Sequence, residues 1–276
     1  MKFTSPAAAA KFQITSAAVW PSIVFTTDAT GPHGWKWAIE WDTFKASGSA
    51  STAGNTWDAK SVVADLGGTL TVTATAGKES AAVKVEVLGT NPTAAEATAY
   101  LATKPDSGGF DAKVQKESGF KQFRATGLPV MSFDRGFGMC QLTSPAPTAA
   151  QVWNWKKNLD GGLALFAVKV SDAKRYLATH GTYTADQLKY EAVCRWNGGS
   201  YHEWDAAAKA WVRKTNILCD TKTGNIGWDT TDAENAGKTE AELHKRDAGN
   251  YGTPKAKGPK NKWLYSGVCY ADALLG

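Results

Sequence analysis

The sequence predicts an α+β chain in two parts: an all-β sandwich over residues 1–90 and a mainly α domain over residues 91–276. Three observations lead there. Short alternating apolar segments separated by Gly-rich breaks fill the first 90 residues. After Asn91-Pro92 the apolar spacing changes to a helical one. Charge and cysteine change at the same place. Residues 1–100 carry seven Lys, no Arg and eight acids, net −1, whereas residues 101–276 carry net +6, all four Cys and three of the four His.

Composition narrows the class. With 276 residues, 43% of them hydrophobic, the chain has enough apolar content for a folded core, which excludes global disorder. Four Cys are too sparse for a disulfide-framework miniprotein. No apolar run reaches the ~18 residues that a membrane-crossing helix needs. The start, Met1 to Pro6 followed by four Ala, lacks the apolar core of a secretory signal. A net charge of +5, dispersed along the chain, does not argue for a nucleic-acid partner. Twelve Trp is a high count, and aromatic faces are what sugar and base sites use.

In the first part, Phe12–Thr15 and Ser22–Phe25 read as short strands. Trp35, Trp37, Ile39 and Trp41 alternate along one face of a half-buried strand. Thr69–Ala74 and Ala82–Val87 repeat the alternation around Gly77-Lys78, a hairpin turn. This pattern suggests a sandwich of immunoglobulin type, and its last strands are similar to those of bacterial Ig-like modules. The Trp cluster fits core packing; an exposed sugar-stacking strip is the alternative.

In the second part, Pro92 is expected at the first helical position after Asn91, with the helix running over Thr93–Leu101. Phe110–Lys116 continues as a helix that ends near Glu117-Ser118-Gly119. Leu163–Leu177 has helical spacing. Thr184 starts a helix that Gly198-Gly199 stops. Residues 220–262 read as irregular apart from a short helix at Thr239–Arg246, with Lys255, Lys257, Lys260 and Lys262 in a solvated loop. Trp263–Leu275 reads as a last helix.

Three segments carry chemistry. In the first, Glu117 sits at a helix C-terminus, where the dipole disfavours a carboxylate, and Phe120 and Phe123 add desolvation; both suit a general acid. The second, Gly136-Phe137-Gly138-Met139-Cys140-Gln141-Leu142, has glycines that let backbone approach a ligand. The third, Ala192-Val193-Cys194-Arg195-Trp196-Asn197-Gly198-Gly199-Ser200-Tyr201, puts an Asn at a helix end before two Gly and an aromatic.

In this order the segments resemble the lytic transglycosylase and goose-type lysozyme superfamily, which shows E-S-x-F, then G-x-x-G-L-M-Q-(L/I), then A-x-x-x-Y-N-x-G. The resemblance covers residues 92–202 and 263–276. Cys140 interrupts the usual Met-Gln pair, Trp196 stands where the family has Tyr, and residues 203–262 have no counterpart. The resemblance implies a lysozyme-like fold and cleavage of the β-1,4 bond between N-acetylmuramic acid and N-acetylglucosamine in peptidoglycan. Glu117 takes the acid/base position and Ser118 follows it. Gly138, Met139, Gln141 and Leu142 match the second motif, with Gln141 helping to line the sugar cleft. Trp196 and Asn197 match the third. Tyr201 follows them as a further substrate contact, and Tyr270 matches a late family Tyr.

A lytic transglycosylase needs Glu117 alone. A muramidase needs a second acid, for which Asp134 is the candidate. A non-catalytic, lysozyme-like binding or structural protein is a further alternative. A Cys140 nucleophile with His180 or His202 as base is the competing enzyme class. The isolated His give no metal-ligand spacing, and no cofactor is implied. Two disulfides are expected, with Cys219–Cys269 and Cys140–Cys194 as one arrangement, although pairing is not readable from sequence. The expected partner is the peptidoglycan glycan strand, reached outside the cytosol by phage lysis or a secretion system. The Ig-like part would dock to a virion or delivery partner, and an immunity protein would be a further partner.

Overall fold

The computed structural model describes residues 1–105, 107, 109–252 and 262–276, so Lys255, Lys257 and Lys260 of the expected lysine loop lie outside it. Lys262 is described and pairs with Glu234 at 3.0 Å. The fold is mixed α/β with several sheets. It divides into two compact units, Met1–Gly162 and Leu163–Gly276.

The first unit opens with β1 (Phe3–Ser5), β2 (Lys11–Ile14), β3 (Val24–Thr27), β4 (His33–Trp41), β5 (Phe44–Thr52) and β6 (Thr56–Asp58). A short helix α1 (Lys60–Val63), then β7 (Gly68–Ala76) and β8 (Glu79–Gly89), follow. Two sheets result, ordered β1-β3-β6 and β2-β8-β7-β4-β5, with β2 parallel to β8 and the other neighbours antiparallel. Period-two patterning does the sorting. Trp35, Trp37 and Ile39 of β4, Leu70, Val72 and Ala74 of β7, and Val83, Val85 and Val87 of β8 are buried, whereas Lys36, Ala38 and Glu40 face outward. Each fully buried Val, Leu or Ile stabilises by about 1.5–3 kcal/mol.

An aromatic stack joins the two sheets. His33 lies 5.4 Å from Trp35, Trp35 lies 5.8 Å from Trp57, and Trp57 lies 5.8 Å from Phe25. Indole N–H groups are anchored too: Trp20 donates to the Leu66 carbonyl at 2.7 Å and Trp35 to Thr52 Oγ1 at 2.9 Å. The Trp cluster of this part is therefore core, not an exposed strip. Strand β5 carries almost no apolar signal because it is an edge strand. Its Gly48 lies under the Trp37 ring, where a Cβ would come within 2.9 Å.

Helices complete this unit: α2 (Ala94–Ala102), α3 (Phe110–Ser118), α4 (Ala149–Trp153) and the first turns of α5 (Trp155–Leu177). Helix α2 does not start at Pro92. Its N-cap is Thr93, which forms a capping box with Glu96. Asn91 instead clamps the chain after α3: its Oδ1 accepts from the N–H groups of Gln122 and Phe123, both at 2.8 Å, and its Nδ2 donates to the Phe123 carbonyl at 2.7 Å. Helix α5 starts eight residues before the expected Leu163. It carries Gly161-Gly162 because added Cβ atoms there would lie 2.4 Å from Gln151 Nε2 and Cys140 Sγ.

The second unit holds the rest of α5, α6 (Ala185–Asn197), the hairpin β9 (His202–Asp205) and β10 (Ala210–Arg213), and strands β11 (Ile217–Cys219) and β12 (Ile226–Asp229). Helix α7 (Glu240–Asp247), β13 (Leu264–Tyr265) and α8 (Gly267–Leu275) end it. Thr184 and Thr239 cap α6 and α7 as their sequences indicate. The stretch expected to be irregular is more ordered than that: β12 pairs with both β11 and β13. Polar side chains hold it. Asp220, fully buried, accepts from Tyr251 Oη at 3.0 Å and bonds His244 Nδ1 at 2.7 Å, and Asp247 accepts from Trp228 Nε1 at 2.7 Å. Such contacts leave no hydrophobic period to read.

Cys219 and Cys269 form a disulfide between β11 and α8. The expected Cys140–Cys194 bridge is absent. Cys140 and Cys194 are free and buried, Cys140 packed at Gly162 and Cys194 directed at the Gly198 carbonyl at 3.8 Å. Denatured but unreduced protein should therefore expose two reactive thiols in a thiol titration. Replacing Cys219 and Cys269 by Ser should lower stability by about 4 kcal/mol in denaturant melts, because the bridge closes a loop of 50 residues.

Candidate functional site

Helix α3 places Glu117. Its buried stripe is Phe110, Lys113 and Val114, and Glu117 continues it one turn on, half-buried. The helix ends at Gly119, whose φ of 59° is left-handed and whose N–H returns to the Gln115 carbonyl at 2.9 Å. Phe120 is also left-handed, at φ 61°, a conformation that a bulky residue rarely adopts. Two such residues in succession turn the chain sharply away after Ser118. Phe120 is buried there, whereas Phe123 packs over Gly89 and 6.0 Å from the Trp153 ring.

The second motif meets the first through Ser118. Its hydroxyl donates to the Met139 carbonyl at 2.9 Å and to the Val114 carbonyl at 3.3 Å. The segment around Met139 has no regular secondary structure and is held by two buried amides. Gln122 Oε1 accepts from Met139 N–H at 3.0 Å while its Nε2 donates to the Val152 carbonyl at 2.7 Å. Asn158 Oδ1 accepts from Cys140 N–H at 2.9 Å while its Nδ2 donates to the carbonyls of Phe137 and Gln151, both at 3.1 Å. Gly138, at φ 71°, fits between them: a Cβ there would lie 2.4 Å from Gln122 Oε1 and 2.6 Å from Asn158 Nδ2. Gln141 closes the turn, donating from Nε2 to the Gly138 carbonyl at 2.7 Å.

Met139 and Cys140 are buried. Burial pushes the Cys140 thiol far above its ordinary range, so it stays a thiol at neutral pH and is a poor nucleophile. Burial also pushes the Lys113 ammonium down to about 7, with Glu117 acting against that fall. Asp134 is exposed and accepts from Ser132 Oγ at 2.6 Å; its neighbour Arg135 pairs with Asp42 instead.

The third motif belongs to the second unit. Trp196 and Asn197 end α6, both half-buried, and Trp196 lies 6.2 Å from Phe166 in a T-shaped contact. Tyr201 and Tyr270 are buried in this unit's core. The Tyr201 hydroxyl donates to Asp272 Oδ1 at 2.6 Å, and Arg213 Nη2 holds the other oxygen at 2.6 Å. Glu191, fully buried, anchors the chain after the helix. Its Oε2 accepts from the N–H groups of Tyr201 and His202, both at 3.0 Å, and its Oε1 pairs with Arg195 at 2.9 Å. Burial raises its pKa, but His202, Arg195 and Tyr201 outweigh that and hold the carboxyl below its ordinary range.

The structure thus brings Glu117, Ser118, Gly138, Met139 and Gln141 together in the first unit. It also adds Lys113, Gln122 and Asn158, which the sequence reading passed over. Lys113 had one signal, a charged residue inside the apolar stripe of α3; the two amides had none. Among the described residues, no group of three or more His, Cys, Asp or Glu is placed to hold a metal ion, and no helix is long and apolar enough to cross a membrane. A scan against protein-family models finds no match, and a search of curated proteins finds no relative.

Two outcomes follow from these contacts. Gly138→Ala should cost about 1–3 kcal/mol in denaturant melts, because the added methyl meets two buried amides at a left-handed position. Glu191→Gln should cost about 3–5 kcal/mol at neutral pH by breaking a buried pair. Because the folded carboxyl lies below its unfolded value, its contribution is present above the unfolded pKa of about 4 and is lost as pH falls through the folded value. The stability gap between wild type and Glu191→Gln should therefore narrow in melts run at progressively lower pH.

Proposed function

We propose that the chain is a peptidoglycan-cleaving glycosidase of lytic transglycosylase type, with Glu117 as its acid and base. The observation that supports this best is the 2.9 Å bond from Ser118 Oγ to the Met139 carbonyl. It sets the Glu-Ser-Gly-Phe segment beside the Gly-Phe-Gly-Met-Cys-Gln-Leu segment, the pairing of motifs on which the resemblance rests. On this reading residues 91–276 are the lysozyme-like catalytic part, and the two-sheet part over residues 1–90 is an Ig-like accessory module.

The chemistry uses one carboxyl group. Glu117 gives its proton to the glycosidic oxygen as the bond from C1 of the muramyl sugar breaks, and the N-acetylglucosamine end leaves as an alcohol. The carboxylate then takes the proton of the muramyl C6 hydroxyl, and O6 closes onto C1. The product is a 1,6-anhydromuramyl end, no water is consumed, and Glu117 is again protonated. Gly138 and Gln141 shape the backbone beside it, and Ser118 fixes that backbone to the helix. Such an enzyme works on the wall, outside the cytosol, and its partner is the glycan strand.

Purified peptidoglycan should lose turbidity with wild type, and Glu117→Gln should slow the clearing by at least about 100-fold. Mass spectrometry should find anhydromuramyl ends. Reducing ends would replace the transglycosylase by a muramidase with Asp134 as the second acid. Equal clearing by wild type and Glu117→Gln would remove Glu117 from the chemistry.

A further inference from the structure

Lys113 is a buried cation that the proposed chemistry does not use. It is 1% exposed, and it lies on the stripe Phe110–Lys113–Val114 one turn before Glu117. Residues four apart on a helix are neighbours, with Cβ atoms about 5–6 Å apart. The wall around this stripe is apolar and tight. Gly162 of α5 stands against Cys140 and Phe110, where a Cβ would lie 2.4 Å from Cys140 Sγ and 3.0 Å from the Phe110 ring. Water is scarce in such a setting, so one charge acts strongly on the next. Among the described residues, the charged and titratable groups here include Glu117 and Lys116 on the same helix and Cys140 from the facing segment. Cys140 remains a neutral thiol, whereas the charge of Glu117 acts on Lys113 and favours its ammonium form.

A one-carboxyl mechanism has a weak point. Between its two proton transfers Glu117 is an anion at the carbonyl end of a helix, where the helix dipole opposes negative charge. We propose that Lys113 is a positioning residue for this step: its ammonium, enclosed one helical turn before Glu117, is the counter-charge that stabilises the Glu117 carboxylate between giving up one proton and taking the next. The assignment rests on the acid/base role of Glu117. It costs the fold something, since a buried cation is less favourable than an apolar side chain of the same length. A purely structural lysine would leave the titration of Glu117 unmoved when replaced.

The coupling is reciprocal and can be read from either partner. Carboxyl 13C NMR of Glu117 should show its midpoint in Lys113→Met at least about one pH unit above wild type, with a melting temperature equal to or above that of wild type. The limb of the wall-clearing pH profile that reports Glu117 should move upward with it. In Glu117→Gln, which leaves the buried stripe intact, the Lys113 Nζ resonance should titrate at least about one pH unit below its wild-type midpoint, which lies at about 7. Glu117→Gln decides the matter alone if Lys113→Met does not fold. Unmoved midpoints overturn the assignment, even where walls are cleared. Moved midpoints in a protein that clears no wall sustain the charge coupling and overturn the function on which its catalytic meaning rests.

Discussion

Two buried side-chain amides hold the irregular segment that packs against the helix carrying Glu117. The segment from Gly136 to Leu142 makes no helix or strand, so its backbone groups need partners from elsewhere. Gln122 and Asn158, both fully buried, supply them at Met139 and Cys140 and tie the same segment to the carbonyls of α4. A buried amide left half-satisfied costs more than an apolar replacement, so this arrangement is kept whole or lost together. Gly138 is the residue that lets the two amides approach, and Ser118 is the link from the segment to the helix carrying Glu117.

The surrounding fold serves that constraint. Asn91, directly after β8, receives the backbone of Gln122 and Phe123 and so sets where Gln122 points. Phe123 fills the space over Gly89, and Trp153 fills the space over Gly67, where Cβ atoms would lie 2.3 and 2.2 Å away. The β core and the helices of the first unit are thus locked by large aromatics seated on glycines. The second unit uses another device: buried carboxylates. Glu191, Asp220 and Asp247 each bind backbone, a ring N–H or a hydroxyl, the half-buried Asp272 takes up a hydroxyl and a guanidinium, and a disulfide joins β11 to α8.

Several features were legible before any coordinates. The alternation Trp35-Trp37-Ile39 marked β4 and its buried face. Thr184 and Thr239 marked helix starts because a hydroxyl three residues ahead of a Gln or Glu can satisfy a free N–H. Gly119 marked the end of α3. Other features were hidden for stated reasons. Strand β5 was missed because an edge strand under Trp37 is made of small residues. The early start of α5 was hidden because Gly161-Gly162, poor helix formers, sit inside the helix for close packing. Pro92 resembles a helix start, yet Thr93 with Glu96 satisfies two N–H groups and takes the position.

The sequence by itself determined many of the elements, the order of the three motifs and the place of Glu117 at a helix end, because periodicity, caps and residue chemistry are local properties. The tertiary structure decided which of these groups meet. That the Ser118 hydroxyl reaches Met139, that Lys113 is buried beside Glu117, that Cys219 pairs with Cys269 while Cys140 stays a thiol, and that the Tyr201 hydroxyl is taken up by Asp272 all depend on contacts between residues distant in the chain or on burial. Packing fixes these, and no local pattern encodes them.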